Sequence, residues 1–371
     1  MLAIVVALAI ASPLSDQISG RLNELHKQAS FPGMTAAWTL PNGQTETVAI
    51  GMHSIEWNVA MKPTDRMLSG SIGKTYFAAA ILRMVEAGQL DLDRKVAFYL
   101  GKRPWFKRMP NAGTITLRQL MTHTSGIPEH VESPEFIAAI MKEPAKTYKP
   151  EELLSFVFDK KPLFEAGKGW SYADTNFILA AYTAESVSDK PLYAVIEKEF
   201  LKPLRLNATS PSTSQWLDGL TQGYSMPNSP FGFSGPTVDD HTYLKFNPQM
   251  EWAGGGFIST SADLSKWAKA LYEGKAISAA AVKMMIDAGV PAKTGPGDKY
   301  GLGVQIRTSE FGPSWGHGGW FPGYLSEMEY FPDKKFSVAV QFNTDDMRAL
   351  KGRPLKFTRE IAKIVAASLA P

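Results

Sequence analysis

The chain has 371 residues, Lys+Arg 39 against Asp+Glu 36, a formal net charge of +3, and 44% hydrophobic with 20% charged residues. That balance is globular: it excludes a disordered, collagen-like or coiled-coil protein, and three surplus charges over this length leave no nucleic-acid footprint. With no cysteine there is no disulfide, thiolate nucleophile or cysteine-held metal, and the six histidines include no pair at metal-ligand spacing.

In chain order, the first segment is Met1 to Ala11, an apolar run ending in the small-x-small site Ala9-Ile10-Ala11. It reads as a signal peptide over residues 1–11, which places the mature protein in the periplasm or outside the cell. A buried N-terminal element is the other reading, because no Lys or Arg precedes the run. No later stretch reaches the ~18 apolar residues of a membrane span. Ser12-Pro13 then suits a helix start, with Leu14, Ile18, Leu22 and Leu25 at helical spacing. Two strands, 34–40 and 45–51, are joined by the turn Pro41-Asn42-Gly43. A strong helix is predicted over 71–87, stopped by Gly88. The middle of the chain mixes helical periodicity with loops, of which 223–236 and 287–298 are long and Gly/Pro-rich. Strand patterns return at 301–307, 323–331 and 336–342, and a helix over 355–369 shows Leu355, Ile361, Ile364, Val365 and Leu369 on one face. Five strands from the two ends of the chain can close one antiparallel sheet, leaving the middle as a second lobe with a cleft between them.

The chemistry starts at Ser71-Ile72-Gly73-Lys74, which sets a serine and a lysine one turn apart on a helix face. A serine hydroxyl is a poor nucleophile until a neighbour takes its proton, and a lysine there can do so or can poise another base. Alone, the pair fits an exposed helix start equally well. The Gly-x-Ser-x-Gly elbow of the α/β-hydrolases is not met, because Ser69 stands two residues before Ser71.

Further blocks extend the pattern: Leu68 to Thr75, Gly88-Gln89-Leu90-Asp91, Ile115 to Gly126 with Thr122-His123-Thr124-Ser125-Gly126, Ala253 to Leu264, Tyr300-Gly301-Leu302-Gly303 and Gly316-His317-Gly318-Gly319. In this order they resemble the serine β-lactamase-like, penicillin-binding-protein-type hydrolases: class C β-lactamases, D-alanyl-D-alanine carboxypeptidases, D-aminopeptidases and related esterases. The resemblance implies an α/β (α+β) fold of the β-lactamase/transpeptidase type, with a five-stranded antiparallel sheet built from both termini, flanked by helices, and a mainly helical lobe. Residues 12–371 then form one hydrolase domain, with an α/β lobe of about 12–70 and 251–371 and a helical lobe of about 71–250. Ser71 is implied as the nucleophile and Lys74 as its partner, and the main-chain N–H groups of Ser71 and Trp320 as the oxyanion hole.

The family's second motif is Tyr-x-Asn, which this chain lacks. Tyr172-Ala173-Asp174, 101 residues after Ser71, takes its place. The resemblance makes Tyr172 the proton shuttle, which requires Lys74 to favour the ionised phenol. Asp174 substitutes a charge for an amide; it is expected to bind substrate, as an acceptor in the amide's place, and to hold Lys74 protonated. The third motif has a decoy, Lys293-Thr294-Gly295, lying in a Gly/Pro loop; His317-Gly318-Gly319, followed by Trp320, fits the strand position and is expected to bind substrate. No Glu-x-x-Leu-Asn segment supplies a class A deacylating glutamate. The expected activity is acyl-enzyme hydrolysis of an ester or a D-amino-acid-type amide in a small-molecule or peptide substrate, without cofactor or metal. A non-catalytic penicillin-binding sensor on the same scaffold is the alternative.

Overall fold

The computed structural model describes residues 12–369. The expected signal segment, 1–11, lies outside the described residues. Among the described residues no helix is long and apolar enough to cross a membrane.

Helix α1 (Pro13–Gln28) opens where Ser12 accepts the Ser15 N–H at 3.0 Å, and it buries Ile18, Leu22 and Leu25. Strands β1 (Gly33–Thr39), β2 (Thr45–Ser54) and β3 (Val59–Ala60) follow. The distant partners are β4 (Val290–Pro291), β5 (Lys299–Tyr300), β6 (Gln305–Ser309), β7 (Gly312–Phe321), β8 (Tyr324–Phe331) and β9 (Phe336–Phe342). They form one antiparallel sheet in the order β3-β2-β1-β9-β8-β7-β6-β5-β4, in which β1 pairs with β9, Ala36 opposite Val340.

The sheet therefore has nine strands and not five. The strand position expected for His317-Gly318-Gly319 is β7, which the count of five left out; its sequence GPSWGHGGWF has four glycines and no apolar alternation, and pairing with β8 overrides that weak local preference. Of the strand expected over 301–307 only 305–307 is extended, as the start of β6; 301–304 form the turn from β5, in which Gly303 takes φ +75° and the Gly301 N–H reaches the Val304 carbonyl at 2.8 Å.

Both faces of the sheet are covered. On one lie α1 and the C-terminal helix Pro354–Ser368, with Leu22, Trp38, Val340, Phe357 and Ile361 in the shared core. On the other face a larger core joins Met328 and Ala339 to α2 (Lys74–Glu86), α3 (Asp174–Ser188) and α4 (Ser261–Tyr272). Strands β1 and β9 are buried at every position, as two-sided coverage demands. The predicted 71–87 helix begins as a 3₁₀ turn over Gly70–Gly73 before α2 proper.

Candidate active site

Ser71 sits in that 3₁₀ turn, wedged between β7 and the 253–256 loop. The turn fits because two of its residues are glycines. A Cβ on Gly70, which has φ +51°, would lie 2.6 Å from the Trp320 carbonyl oxygen, and one on Gly73 would collide with the Gly255 carbonyl. Side chains at either place would push the turn away from its walls.

Lys74, at the start of α2, is fully buried. Its Nζ donates to Ser71 Oγ at 2.9 Å, to Asp174 Oδ1 at 2.5 Å and to the Gly254 carbonyl. An ammonium has three protons, and three acceptors use them all. In this arrangement Lys74 is a cation with no lone pair to offer Ser71. The Gly254 carbonyl is aimed by a strained neighbour, Trp252, a non-glycine residue with φ 37° and ψ −117°.

Tyr172 precedes α3 and Asp174 is its first residue. The Tyr172 ring centroid is 4.9 Å from Lys74 Nζ, and its buried hydroxyl makes no hydrogen bond among the described residues. Here the structure corrects an expectation. Burial, and then the Asp174 charge, push the Tyr172 phenol well above its ordinary range, with the nearby Ser71 hydroxyl pulling the other way. Lys74 does not leave Tyr172 ionised, because Asp174 already neutralises it.

Asp174 is one of three carboxylates around Lys74. Burial raises the Asp174 carboxyl and Lys74 pulls it back. Glu129 accepts the Asp174 N–H at 2.5 Å and lies 3.1 Å from His130 Nδ1. Burial works against its charge, but His130, the Asp174 N–H and Lys74 together hold its carboxyl below the usual range. Glu251 lies under the glycine turn, accepting the Gly256 N–H at 2.9 Å. Burial pushes its carboxyl up to about 8, against the pull of that N–H. Neither Glu129 nor Glu251 was found from the sequence: Glu129 sits in a loop and Glu251 in the kinked 3₁₀ run Pro248–Gly254, and neither belongs to a motif, although each adjoins a matched block.

Glu251 carries a pH signature. Its folded pKa exceeds the unfolded value, so its contribution to stability is present below about pH 4.5 and is lost as the pH rises through about 8. Glu251→Gln keeps an acceptor for Gly256 without the titration. The variant is expected to melt with the wild type near pH 4.5 and several degrees above it at pH 9, the gap being on the order of a few kcal/mol. Melting curves at three pH values test this, and a pH-independent gap would refute it.

His317 is almost wholly buried, at 1% exposure. Its Nδ1 is 2.6 Å from the Gly318 carbonyl, which can only accept, so Nδ1 carries the proton and Nε2 accepts from the Tyr300 hydroxyl at 2.8 Å. Burial and Lys74 lower its pKa to about 3. Both nitrogens are therefore occupied within the protein, and His317 braces the wall where a substrate-binding side chain was expected. Gly318 donates its N–H to Gln305 at 3.1 Å. A Cβ on Gly319 would collide with the Ser69 carbonyl, so this glycine lets β7 lie against the serine turn. Trp320 stacks on Phe231 with centroids 5.8 Å apart.

Ser71 opens into two compartments. The first, about 490 Å³, is lined by Glu129, Asp174 and Glu251 with Phe136, Phe231 and Phe321. The second, about 370 Å³, runs past Tyr172 and Trp320 to Lys293, Arg353 and Glu327. The decoy lysine thus reaches the cleft wall, though from the loop after β4 and not from the strand beside Ser71. Among the described residues no cluster of three or more His, Asp or Glu side chains is arranged to hold a metal ion.

The site and sheet define a β-lactamase-fold hydrolase, and the chain belongs to the Beta-lactamase family, which it matches over residues 18–359. It is 26% identical over 335 residues to the putative penicillin-binding protein PbpX of Bacillus subtilis (strain 168), covering 90% of this chain and 75% of that protein. Among solved structures, a D-stereospecific amidohydrolase from Streptomyces sp. superposes with a TM-score of 0.77 at 28% identity, covering 90% of this chain and 97% of that one. The D-amino acid amidase of Ochrobactrum anthropi SV3 shares the fold with a TM-score of 0.82 at 21% identity, covering 96% and 100%.

Proposed function

We propose that the protein is an acyl-serine hydrolase that cleaves the amide bond after a D-configured residue bearing a free amine. The observation that carries this is the charge of the first compartment. Glu129 and Asp174 stand beside one lysine, Lys74, which Asp174 already pairs, and Glu251, its carboxyl pushed up to about 8 by burial, adds its charge only as the pH rises. An ammonium group entering there gains a partner, whereas a carboxylate is repelled. The apolar wall of Phe136, Phe231 and Phe321 suits the side chain of the same residue. The D configuration is supported by the Streptomyces amidohydrolase, whose name specifies it.

Ser71 Oγ attacks the carbonyl carbon, and the N–H groups of Ser71 and Trp320 take the oxyanion. Because Tyr172 rests as a neutral phenol, it relays: it accepts the Ser71 proton while passing its own to the leaving nitrogen, and the C–N bond breaks. Water then attacks the acyl-enzyme, its proton returns through Tyr172 to Ser71 Oγ, and the ester C–O bond breaks. Lys74 remains a cation throughout, holding Ser71 Oγ and offsetting negative charge on the Tyr172 oxygen as the protons move.

Hydrolysis of D-alanine p-nitroanilide, its L enantiomer and its N-acetyl derivative tests the reading. The free D-amine is expected to lead the N-acetyl substrate by a factor of about 5 to 150, the worth of one charged contact of 1–3 kcal/mol. Asp174→Asn should narrow that lead. An N-acetyl substrate cleaved as fast as the free amine would show that the acidic compartment does not select an amine.

A further inference from the structure

The proposed relay rests on Tyr172, yet its hydroxyl has no hydrogen bond among the described residues to fix it. The ring must be held by its sides, and the structure shows what holds it. His123 belongs to the Thr122–Gly126 segment and is completely buried. It grips the residues on either side of Tyr172: its carbonyl accepts the Ser171 N–H at 3.0 Å, and its Nδ1 accepts the Ala173 N–H at 3.2 Å. Between those two bonds its ring lies on the Tyr172 ring, with centroids 4.2 Å apart and planes at 36°. Asn176, the third residue of α3, donates to the same Nδ1 at 3.1 Å.

Two N–H donors on Nδ1 place the ring proton on Nε2, which has no hydrogen-bond partner among the described residues. Its ring stands edge-on to Tyr300 at 4.6 Å, and Tyr300 in turn bonds His317. Burial, with Lys74 and His317 adding to it, pushes the His123 pKa well down, so Nδ1 keeps its lone pair at neutral pH. The backbone at His123 has φ +58°, a conformation that costs a non-glycine residue energy and persists only where surroundings enforce it.

We propose that His123 is a positioning residue for the proton relay, setting the Tyr172 oxygen between Ser71 and the leaving group without touching either. A misplacement of about 1 Å at such a point costs on the order of 100-fold in rate. The inference rests on the function proposed above, with Tyr172 as relay, so the test includes that reading as its own arm.

The readout is kcat per fluorophosphonate-titrated Ser71, which removes misfolded protein from the comparison, together with KM and the solvent deuterium isotope effect on kcat. Tyr172→Phe is expected to lower kcat at least 100-fold. His123→Phe keeps a ring but loses the acceptor. It should lower kcat per titrated site at least tenfold, leave KM within threefold and raise the isotope effect, because the proton step becomes limiting. His123→Asn tolerates the positive φ and restores an acceptor where Nδ1 stood, so its loss should be smaller, yet at least threefold. Should His123→Phe yield no titratable protein, His123→Asn decides alone, and wild-type kcat and isotope effect there overturn the proposal. A loss that vanishes after site titration, or that falls on KM, also overturns it. A fully active Tyr172→Phe would bring down the relay reading, and the inference with it. An inactive Tyr172→Phe beside normal His123 variants would remove the inference alone.

Discussion

Ser71→Ala is expected to end turnover of every ester and amide, a loss of at least about a thousandfold, because among the described residues Ser71 brings the one aliphatic hydroxyl that lines both compartments, beside the Tyr172 phenol, to form the acyl-enzyme. The fold should survive. Ser71 lies in a short turn, and losing its hydroxyl removes one acceptor of Lys74, 2.9 Å away, while Lys74 keeps Asp174 and Gly254. Melting temperatures within a few degrees of each other and fluorophosphonate labelling confined to the wild type are the expected results. A pure variant retaining a tenth of the activity would remove Ser71 from the role of nucleophile.

The second large effect is expected at Lys74, on both activity and stability. Lys74→Met keeps the length of the side chain and removes the cation that Asp174, Glu129 and Glu251 all face. Breaking a buried ion pair on one side costs about 3–5 kcal/mol, since the remaining charge is left uncompensated. The sign of the pH dependence follows. Without Lys74 the Asp174 carboxyl rises further, so the variant's deficit is largest at neutral pH and shrinks on acidification, as Asp174 takes a proton in both states. Lys74→Met/Asp174→Asn should recover most of the stability at pH 7 and none of the activity. Denaturant melts at pH 5 and pH 7 check the first statement and turnover checks the second. A single variant as stable as wild type at pH 7 would mean that the pair contributes nothing to the fold.

Much of this was legible in the sequence where local chemistry governs. Ser12-Pro13 with Ile18, Leu22 and Leu25 specified α1, and Pro41-Asn42-Gly43 the first hairpin, in which the Gln44 N–H bonds Asn42 Oδ1 at 2.9 Å. Ser71, Lys74, Tyr172 and Asp174, which meet in the site, were named through the family resemblance, whose motifs carry over because they sit at fixed places in the fold. The sign of the Tyr172 shift was not legible, since it depends on the burial of the phenol oxygen and on the Asp174 charge beside it. Strand β7 was placed through its His317-Gly318-Gly319 motif and not through a strand pattern, because glycine serves there to let backbones approach, a requirement set by Ser69 on a distant segment. The terminal helix was read one residue late, and its most deeply placed aromatic, Phe357, was left off the expected face, because that helix meets both α1 and the sheet.

The pairing of β1 with β9 bears on how the protein is made. Met34 lies opposite Phe342, 308 positions further along (342 − 34), and both strands are buried on every residue. On the ribosome, β1 and β2 therefore emerge with one apolar edge open and wait while about 300 more residues are translated, on the order of 15–60 s at 5–20 residues per second. Until then neither face of the sheet can close, and the serine turn has no β7 to lean against. Closure over so long a span is entropically slow, which makes the exposed first hairpin the point at which chaperone binding or aggregation competes with folding.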